Sequence, residues 1–431
     1  MLTFVPAEWL LGRMPPSPSV DAIMLTAAHM PGLACFDTGL QTTLVTWGTG
    51  PYCTAPSEWK DFVRNNCHPK HDPSPVYKGG VVGWIGYEAG ATVEQMPSPT
   101  SPRTTHDVCL WRTNGGLTLD HTTGKWRAEG SAQFMEEANE IMVRAQDWTD
   151  QDRSTELHQS WTPESDPSQS DRFQKNVHSV LHAIREGEVY QVNLAWEQVN
   201  IPIENGLRSW LALRHQNPAL RGCYLREGST EVLSNSPELF LHIDGTTNMV
   251  NSIPIKGTAP VSGGDAAKSA LKTSPKEKAE LTMIVDLVRN DLGRIATPGT
   301  VVAGERTLRQ CGDLWHAEQQ VSAKLKPNTD MVDVVAATFP PGSVTGAPKV
   351  RAMEVINALE VRPRGVYTGA IGWFADGGSA HLNVAIRTAT VQSGIGRFHV
   401  GAGIVADSQP ELEWHETLAK ARALTTCLEL P

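Results

Sequence analysis

The sequence predicts a mixed fold of helices and strands, α/β or α+β, on three observations. Residues 1–145 read as short β-rich runs broken by Gly and Pro turns. Four later stretches carry apolar residues at helical spacing. Five further strand-like runs lie among those stretches, so neither element type is confined to one half of the chain. A length of 431 residues suits two or three domains, or one large unit.

Taken in order, residues 1–146 form an N-terminal region. Its segment Gly79-Gly80-Val81-Val82-Gly83-Trp84-Ile85-Gly86-Tyr87 mixes glycine with β-formers, as closely packed strands do. Residues 147–172 are rich in Asp, Ser, Gln and Pro and read as a polar linker or surface loop. Residues 173–431 form the second region. A helix opens near Asp171 and carries Phe173, Val177, Val180, Leu181 and Ile184 on one face. Further helices are expected over 275–291, over 346–360 with Pro348 in the first turn, and from Pro410 to Leu428. Strands are expected at Val189–Leu194, Val232–Ile243, Val366–Trp373, His381–Thr388 and Phe398–Val405.

A net charge of −10 argues against a nucleic-acid or polyphosphate binder, since no strong basic patch is available to neutralise phosphates. A small anionic ligand held by a few local cations stays open. The seven cysteines, Cys35, Cys53, Cys67, Cys109, Cys223, Cys311 and Cys427, are scattered and form no C-x-x-C pair. That speaks against a zinc cluster or disulfide framework and for a reducing compartment. The N-terminus lacks a basic region followed by an apolar core, and no apolar run is long enough to span a bilayer. The expectation is a cytoplasmic protein with no membrane partner.

Several residues carry candidate chemistry, each with a plainer alternative. Lys256, in Pro254-Ile255-Lys256-Gly257-Thr258, stands where the pattern wants a buried strand end. Desolvated, such a lysine loses its proton more easily and becomes a nucleophile; the plainer reading is a paired or snorkelling lysine. Glu413, Glu416 and Lys420 share one face of the last helix; the plainer reading is a solvated face with a Glu416–Lys420 ion pair, but that face continues into Ala423 and Cys427. Glu280 shares a helix face with Ile284 and Leu287, where a carboxylate wants a partner or a hard cation such as Mg2+. Arg387 ends an apolar strand and suits either an anion or a structural carboxylate. Gly401-Ala402-Gly403 suits backbone N–H groups facing a carboxylate. Ser343-Val344-Thr345-Gly346-Ala347-Pro348-Lys349 feeds a helix N-terminus, another anion site. His316 taken alone is a structural histidine as readily as a catalytic one.

Four segments in this order resemble the chorismate-utilising enzymes: Ile284–Asp291, Phe339–Glu354, Ile386-Arg387-Thr388 and Gly401–Ser408. Within that family the chain is most similar to the synthase subunits of aminodeoxychorismate synthases. The match is strong from about residue 172 to the C-terminus; before that, the Gly79–Tyr87 segment carries it. The resemblance implies an α+β fold of two packed antiparallel sheets flanked by helices. It implies Glu280 and Glu416 as ligands of Mg2+, with Glu413 acting nearby through water. It implies Tyr367, Arg387, Gly401, Gly403 and Lys420 as holders of the carboxylates of chorismate, and Ser343 as a hydroxyl lining the site. Glu238 matches the general acid for the departing C4 hydroxyl, and His316 a histidine beside the ring.

Two positions separate sister reactions within the family. Gln191 occupies the place of a lysine base that activates water in isochorismate and salicylate synthases. Glutamine cannot do so, which favours ammonia as nucleophile. Lys256, with Thr258 after it, matches the lysine that aminodeoxychorismate synthases use as a nucleophile at C2, where anthranilate synthases have alanine. The resemblance thus implies amination of chorismate at C4, with ammonia from a separate glutaminase subunit. Anthranilate synthesis is the nearest rival, and a non-catalytic chorismate- or tryptophan-binding protein is the second. Four segments depart from the family pattern: Ala259-Pro260-Val261 has no arginine, Ala317-Glu318-Gln319 follows His316, Asn217-Pro218 continues Ala219-Leu220-Arg221, and the early motif reads Phe36-Asp37-Thr38.

Overall fold

The structure is a computed structural model that describes residues 17–39, 41–67, 77–94, 106–148 and 167–425. The side chains of Pro167 and Ala423 are excepted. Two ten-stranded sheets, counted among the described residues, form the centre of the molecule, and every strand pair within them is antiparallel. Strands from both sequence regions share each sheet. Ala34–Asp37 pairs with Arg221–Glu227 in the first, and Gly80–Ile85 pairs with Ala370–Ala375 in the second. The segment 149–166, most of the expected linker, lies outside the described residues.

The alternation of side chains divides the interior into layers. Phe36 and Leu44 of the first sheet meet Trp84, Trp111, Ile371 and Trp373 of the second in a shared core between the sheets. Their strand neighbours point the other way. Cys35 and Val45 join a core under the helices Pro167–Arg185, Gly206–Gln216, Lys349–Leu359 and Pro410–Thr425. Val81, Ile85, Ala370 and Phe374 join another under Trp59–Asn66, Pro275–Gly293 and Met331–Thr338. The result is two face-to-face sheets with helices on both outer faces, the α+β architecture expected from the resemblance.

Close approach explains the glycine-rich segment near residue 83. Gly83 pairs with Gly372, and a Cβ on Gly372 would lie 1.9 Å from the carbonyl oxygen of His381. No side chain fits between these strands without moving backbone.

Several expected boundaries shift. The Pro167–Arg185 helix begins four residues before Asp171, and the expected helix over 346–360 starts only at Lys349. Pro348 is its N-cap, and Gly346–Ala347 is a short strand beside Gln191 and Val192. The last helix is described to Thr425; Leu428 and Cys427 lie outside the described residues. The six described cysteines are free and buried. No helix among the described residues is long and apolar enough to cross a membrane.

Two corrections position the site. The expected strand Val232–Ile243 is two strands: Thr230–Ser236 in the first sheet and Leu239–Asp244 in the second. The expected strand His381–Thr388 likewise divides into Ala380–Val384 in the second sheet and Thr388–Gln392 in the first. The chain crosses between sheets at Pro237-Glu238 and again at Ala385–Arg387. The crossings are tied together: the N–H of Asn235 donates to the Arg387 carbonyl at 2.9 Å, and that of Val384 to the Glu238 carbonyl at 3.1 Å.

Candidate active site

Glu238 and Arg387, carried by the two crossings, both line a cavity of about 350 Å3. Such a volume suits a small organic ligand. The cavity also takes Lys256, Thr258, Glu280, His316, Ser343, Tyr367, Gly401, Gly403, Glu413, Glu416 and Lys420 into its wall. Of the sequence-predicted site residues, Gln191 alone is not in that wall. It is fully buried behind Gly403, and neither its amide oxygen nor its nitrogen has a hydrogen-bond partner among the described residues.

Lys256 lies on the edge strand Ile255–Pro260, which pairs with Leu314–Lys324. The register shifts between the pairs Ile255–Glu318 and Thr258–His316. Such a bulge re-aims a side chain, and Gly257 supplies the backbone it needs at φ +82°. The same pairing sets Thr258 opposite His316. Lys256 is half-buried rather than sealed in the core. Its ammonium has no carboxylate within 4 Å among the described residues, so the plain salt bridge is not what places it there. Across the cavity, a Cβ on Gly403 would lie 3.0 Å from Lys256 Nζ and 3.4 Å from Gln191 Nε2. The glycine is what lets the lysine reach this wall.

Burial pulls the pKa of Lys256 down; Glu280, Glu238 and Glu416 oppose this, while Lys420 adds to it. Glu238 is 4% exposed, and burial pushes its carboxyl up to about 7. Hydrogen bonds from the Ser343 hydroxyl and the Ile255 N–H, with the charge of Lys256, limit that rise. At neutral pH the cavity therefore holds a substantially protonated carboxyl beside an amine whose proton is loosened. His316 is 2% exposed, and burial, with Arg387 nearby, lowers its pKa to about 3. It is neutral, and neither ring nitrogen has a partner among the described residues. Arg387 is held at φ +50° and makes no ion pair within 4 Å among the described residues, which leaves it free for an anion.

On another side stand the carboxylates of Glu280, Glu413 and Glu416, all within electrostatic reach of Lys276. Glu280 rises by burial and by repulsion from Glu277 and Glu413; Glu413 rises by burial and by repulsion from Glu416. Burial would raise Glu416 too, but Lys420 at 2.7 Å, together with Lys256 and Lys276, outweighs it and the net shift is downward. The Glu416–Lys420 pair thus exists, and it lines the cavity while both side chains stay about half exposed. Lys420 also donates to the Gly401 carbonyl at 2.9 Å. No preformed group of three or more metal-ligating His, Cys, Asp or Glu occurs among the described residues. The donors nevertheless fit Mg2+, which takes one or two carboxylates and completes its shell with water and ligand oxygens. Carboxylates crowded enough to raise one another's pKa gain from a cation between them.

Lys349, at the helix N-terminus after Pro348, is 8% exposed and bound to Asp291 at 2.6 Å and to the Thr338 carbonyl at 2.8 Å. It braces the loop that presents Ser343 and is spent as an anion binder. The structure also adds Asn193, Lys276, Glu277 and His399 to the cavity wall. Two of these were within reach of pattern reading. Lys276 precedes Glu280 by one helical turn, and His399 shares a strand face with Gly401 and Gly403.

The model of the chorismate binding enzyme family matches residues 47–426. A protein of Haloarcula marismortui named anthranilate synthase component 1 3 is 34% identical over 379 residues, covering 83% of this chain and 75% of its own. A 2-amino-4-deoxychorismate synthase of Streptomyces globisporus is 34% identical over 363 residues, covering 80% and 72%. The crystal structure of anthranilate synthase component I from Streptococcus pneumoniae TIGR4 shares the fold, with a TM-score of 0.75, 98% of both chains covered and 24% identity. With its cavity built from the residues that this resemblance singles out, the chain belongs to the chorismate-binding enzymes.

Proposed function

We propose that this enzyme aminates chorismate at C4 with ammonia, giving 4-amino-4-deoxychorismate and water. The observation that carries the reading is Lys256: a partly buried amine, unpaired within 4 Å among the described residues and with its pKa lowered, lining one cavity with Glu238, Glu280 and Glu416 and within electrostatic reach of all three. Its neutral form forms a bond to C2 of the ring. The two ring double bonds each shift by one position and the C4–O bond breaks. Glu238 gives its proton to the departing oxygen, so that water leaves rather than hydroxide. Ammonia then bonds to C4, the double bonds shift back, the C2–N bond breaks to release Lys256 as the neutral amine, and the proton lost by the new C4 nitrogen restores Glu238. His316, neutral, lies beside the ring, and Gln191 behind Gly403 offers no base for water.

A dianionic substrate needs positive charge, and the wall carries five glutamates against three lysines and one arginine. Arg387 and Lys420 supply part of it, with Tyr367 and the backbone at Gly401 and Gly403 orienting the carboxylates. Glu280 and Glu416 would hold Mg2+, with Glu413 assisting through water; when bound, it would neutralise the ring carboxylate. Ammonia would come from a separate glutaminase subunit, for which free ammonium substitutes in vitro.

Intact mass spectrometry tests the covalent step. With chorismate and Mg2+ but no ammonium, the wild-type protein should gain the mass of chorismate less one water, and Lys256→Ala should gain nothing. An adduct that persists in Lys256→Ala would refute the role.

A second reading rests on the relatives' names. Anthranilate synthase and 2-amino-4-deoxychorismate synthase both place nitrogen at C2. In that reading ammonia bonds directly to C2, and Lys256 has no covalent part.

A further inference from the structure

We infer that Arg364 is a positioning residue for the chorismate cavity, fixing with one guanidinium the spacing of the three segments that carry Asn193, Val344 and Tyr367. The inference rests on this cavity being the chorismate site, and not on which ring carbon is aminated.

Arg364 is 2% exposed, yet its donors are engaged. Nη2 donates to the Asn193 carbonyl at 2.6 Å, and Nη1 to the Val344 carbonyl at 3.0 Å and to Thr368 Oγ1 at 3.2 Å. Glu360 accepts from Nε at 2.8 Å and from Nη2 at 2.7 Å. Asn193 comes from a strand of the first sheet, Val344 from the turn beside Ser343, and Thr368 from the loop next to Tyr367. These segments are far apart in sequence, and Asn193, Val344 and Tyr367 all line the cavity.

The faces of the guanidinium are used as well as its edges. Its central carbon lies 4.7 Å from the Tyr87 ring centre and 5.7 Å from that of Tyr367. Tyr367 in turn stacks on His399, with centroids 5.4 Å apart and planes 13° apart. A column thus runs from Tyr87 through Arg364 and Tyr367 to His399, from the interior to the cavity wall. Two backbone N–H groups, of Arg364 and Gly365, anchor the near end by donating to Glu88. Lysine could keep the charge, but it lacks the planar fork and the flat faces.

The test is equilibrium binding of chorismate, with Mg2+ present, to five variants beside the wild type. Arg364→Lys should bind roughly 10-fold more weakly, because a misplaced wall forfeits contacts it cannot regain. Tyr367→Phe should weaken binding less, and the double variant should bind no more weakly than Arg364→Lys alone, because the two act through one column. Should Arg364→Lys not fold, Tyr87→Leu loosens Arg364 from the side away from the cavity and should also weaken binding. Tyr87→Phe should bind as the wild type does, since the Tyr87 hydroxyl has no hydrogen-bond partner among the described residues. Wild-type affinity in Arg364→Lys and Tyr87→Leu, or fully multiplicative losses in the double variant, would overturn the positioning role. A wild-type protein that does not bind chorismate would overturn the site itself.

Discussion

Glu238 shows how one residue's surroundings set its task. A carboxyl at its ordinary pKa would be ionised at neutral pH and useless as an acid. Burial at the sheet crossing moves it up to about 7. Because the acid form is the working form, turnover should fall at alkaline pH, where Glu238 has lost its proton. Lys256 has the opposite requirement: its lowered pKa brings the neutral amine within reach, and activity should fall toward acid as it gains a proton. The pH–rate profile should therefore be bell-shaped. In Glu238→Gln the alkaline limb assigned to Glu238 should vanish, with kcat lower by roughly 10²–10⁴-fold. An alkaline limb retained in that variant would assign it to another group. The same burial carries a cost in stability. A carboxyl whose folded pKa is raised favours the fold below its ordinary pKa, and that contribution is lost as pH rises through about 7.

At the scale of elements, periodicity exposed the helices well and the strand ends poorly. Phe173, Val177 and Val180 are buried on one helix face as their spacing requires. The runs Val232–Ile243 and His381–Thr388 each read as one strand because apolar residues recur on both sides of the crossing. Nothing in that pattern marks a chain stepping from one sheet to the other, and the two crossings carry Glu238 and Arg387. Pro237 was the available sign, since proline cannot donate within a ladder. Glycines carry information of another kind. Gly372 permits strand contact that no Cβ allows, so Gly372→Ala should destabilise the protein by about 3 kcal/mol. Denaturant unfolding checks this; a change below about 0.5 kcal/mol would mean that the strands separate easily. Gly403 is different, because a Cβ there meets the flexible end of Lys256 rather than backbone.

At the scale of the whole molecule, two sheets from interleaved regions bring residues from 193 to 420 onto one cavity. Composition and spacing could nominate Glu280, Glu416 and Lys256 singly, but not their meeting; the family resemblance supplied that. Neither source reached the Arg364 column, which depends on packing between segments that show no shared pattern. Nor could pattern show that Lys349 is taken up by Asp291, because a buried ion pair between distant segments leaves no local trace. The cavity contains the proposed nucleophile and acid but also the donors common to sister reactions, so product identity discriminates most directly. Purified enzyme supplied with chorismate, Mg2+ and ammonium, with no glutaminase and no added lyase, should form 4-amino-4-deoxychorismate by chromatography and mass. Accumulation of anthranilate or of 2-amino-4-deoxychorismate instead would contradict C4 amination through Lys256.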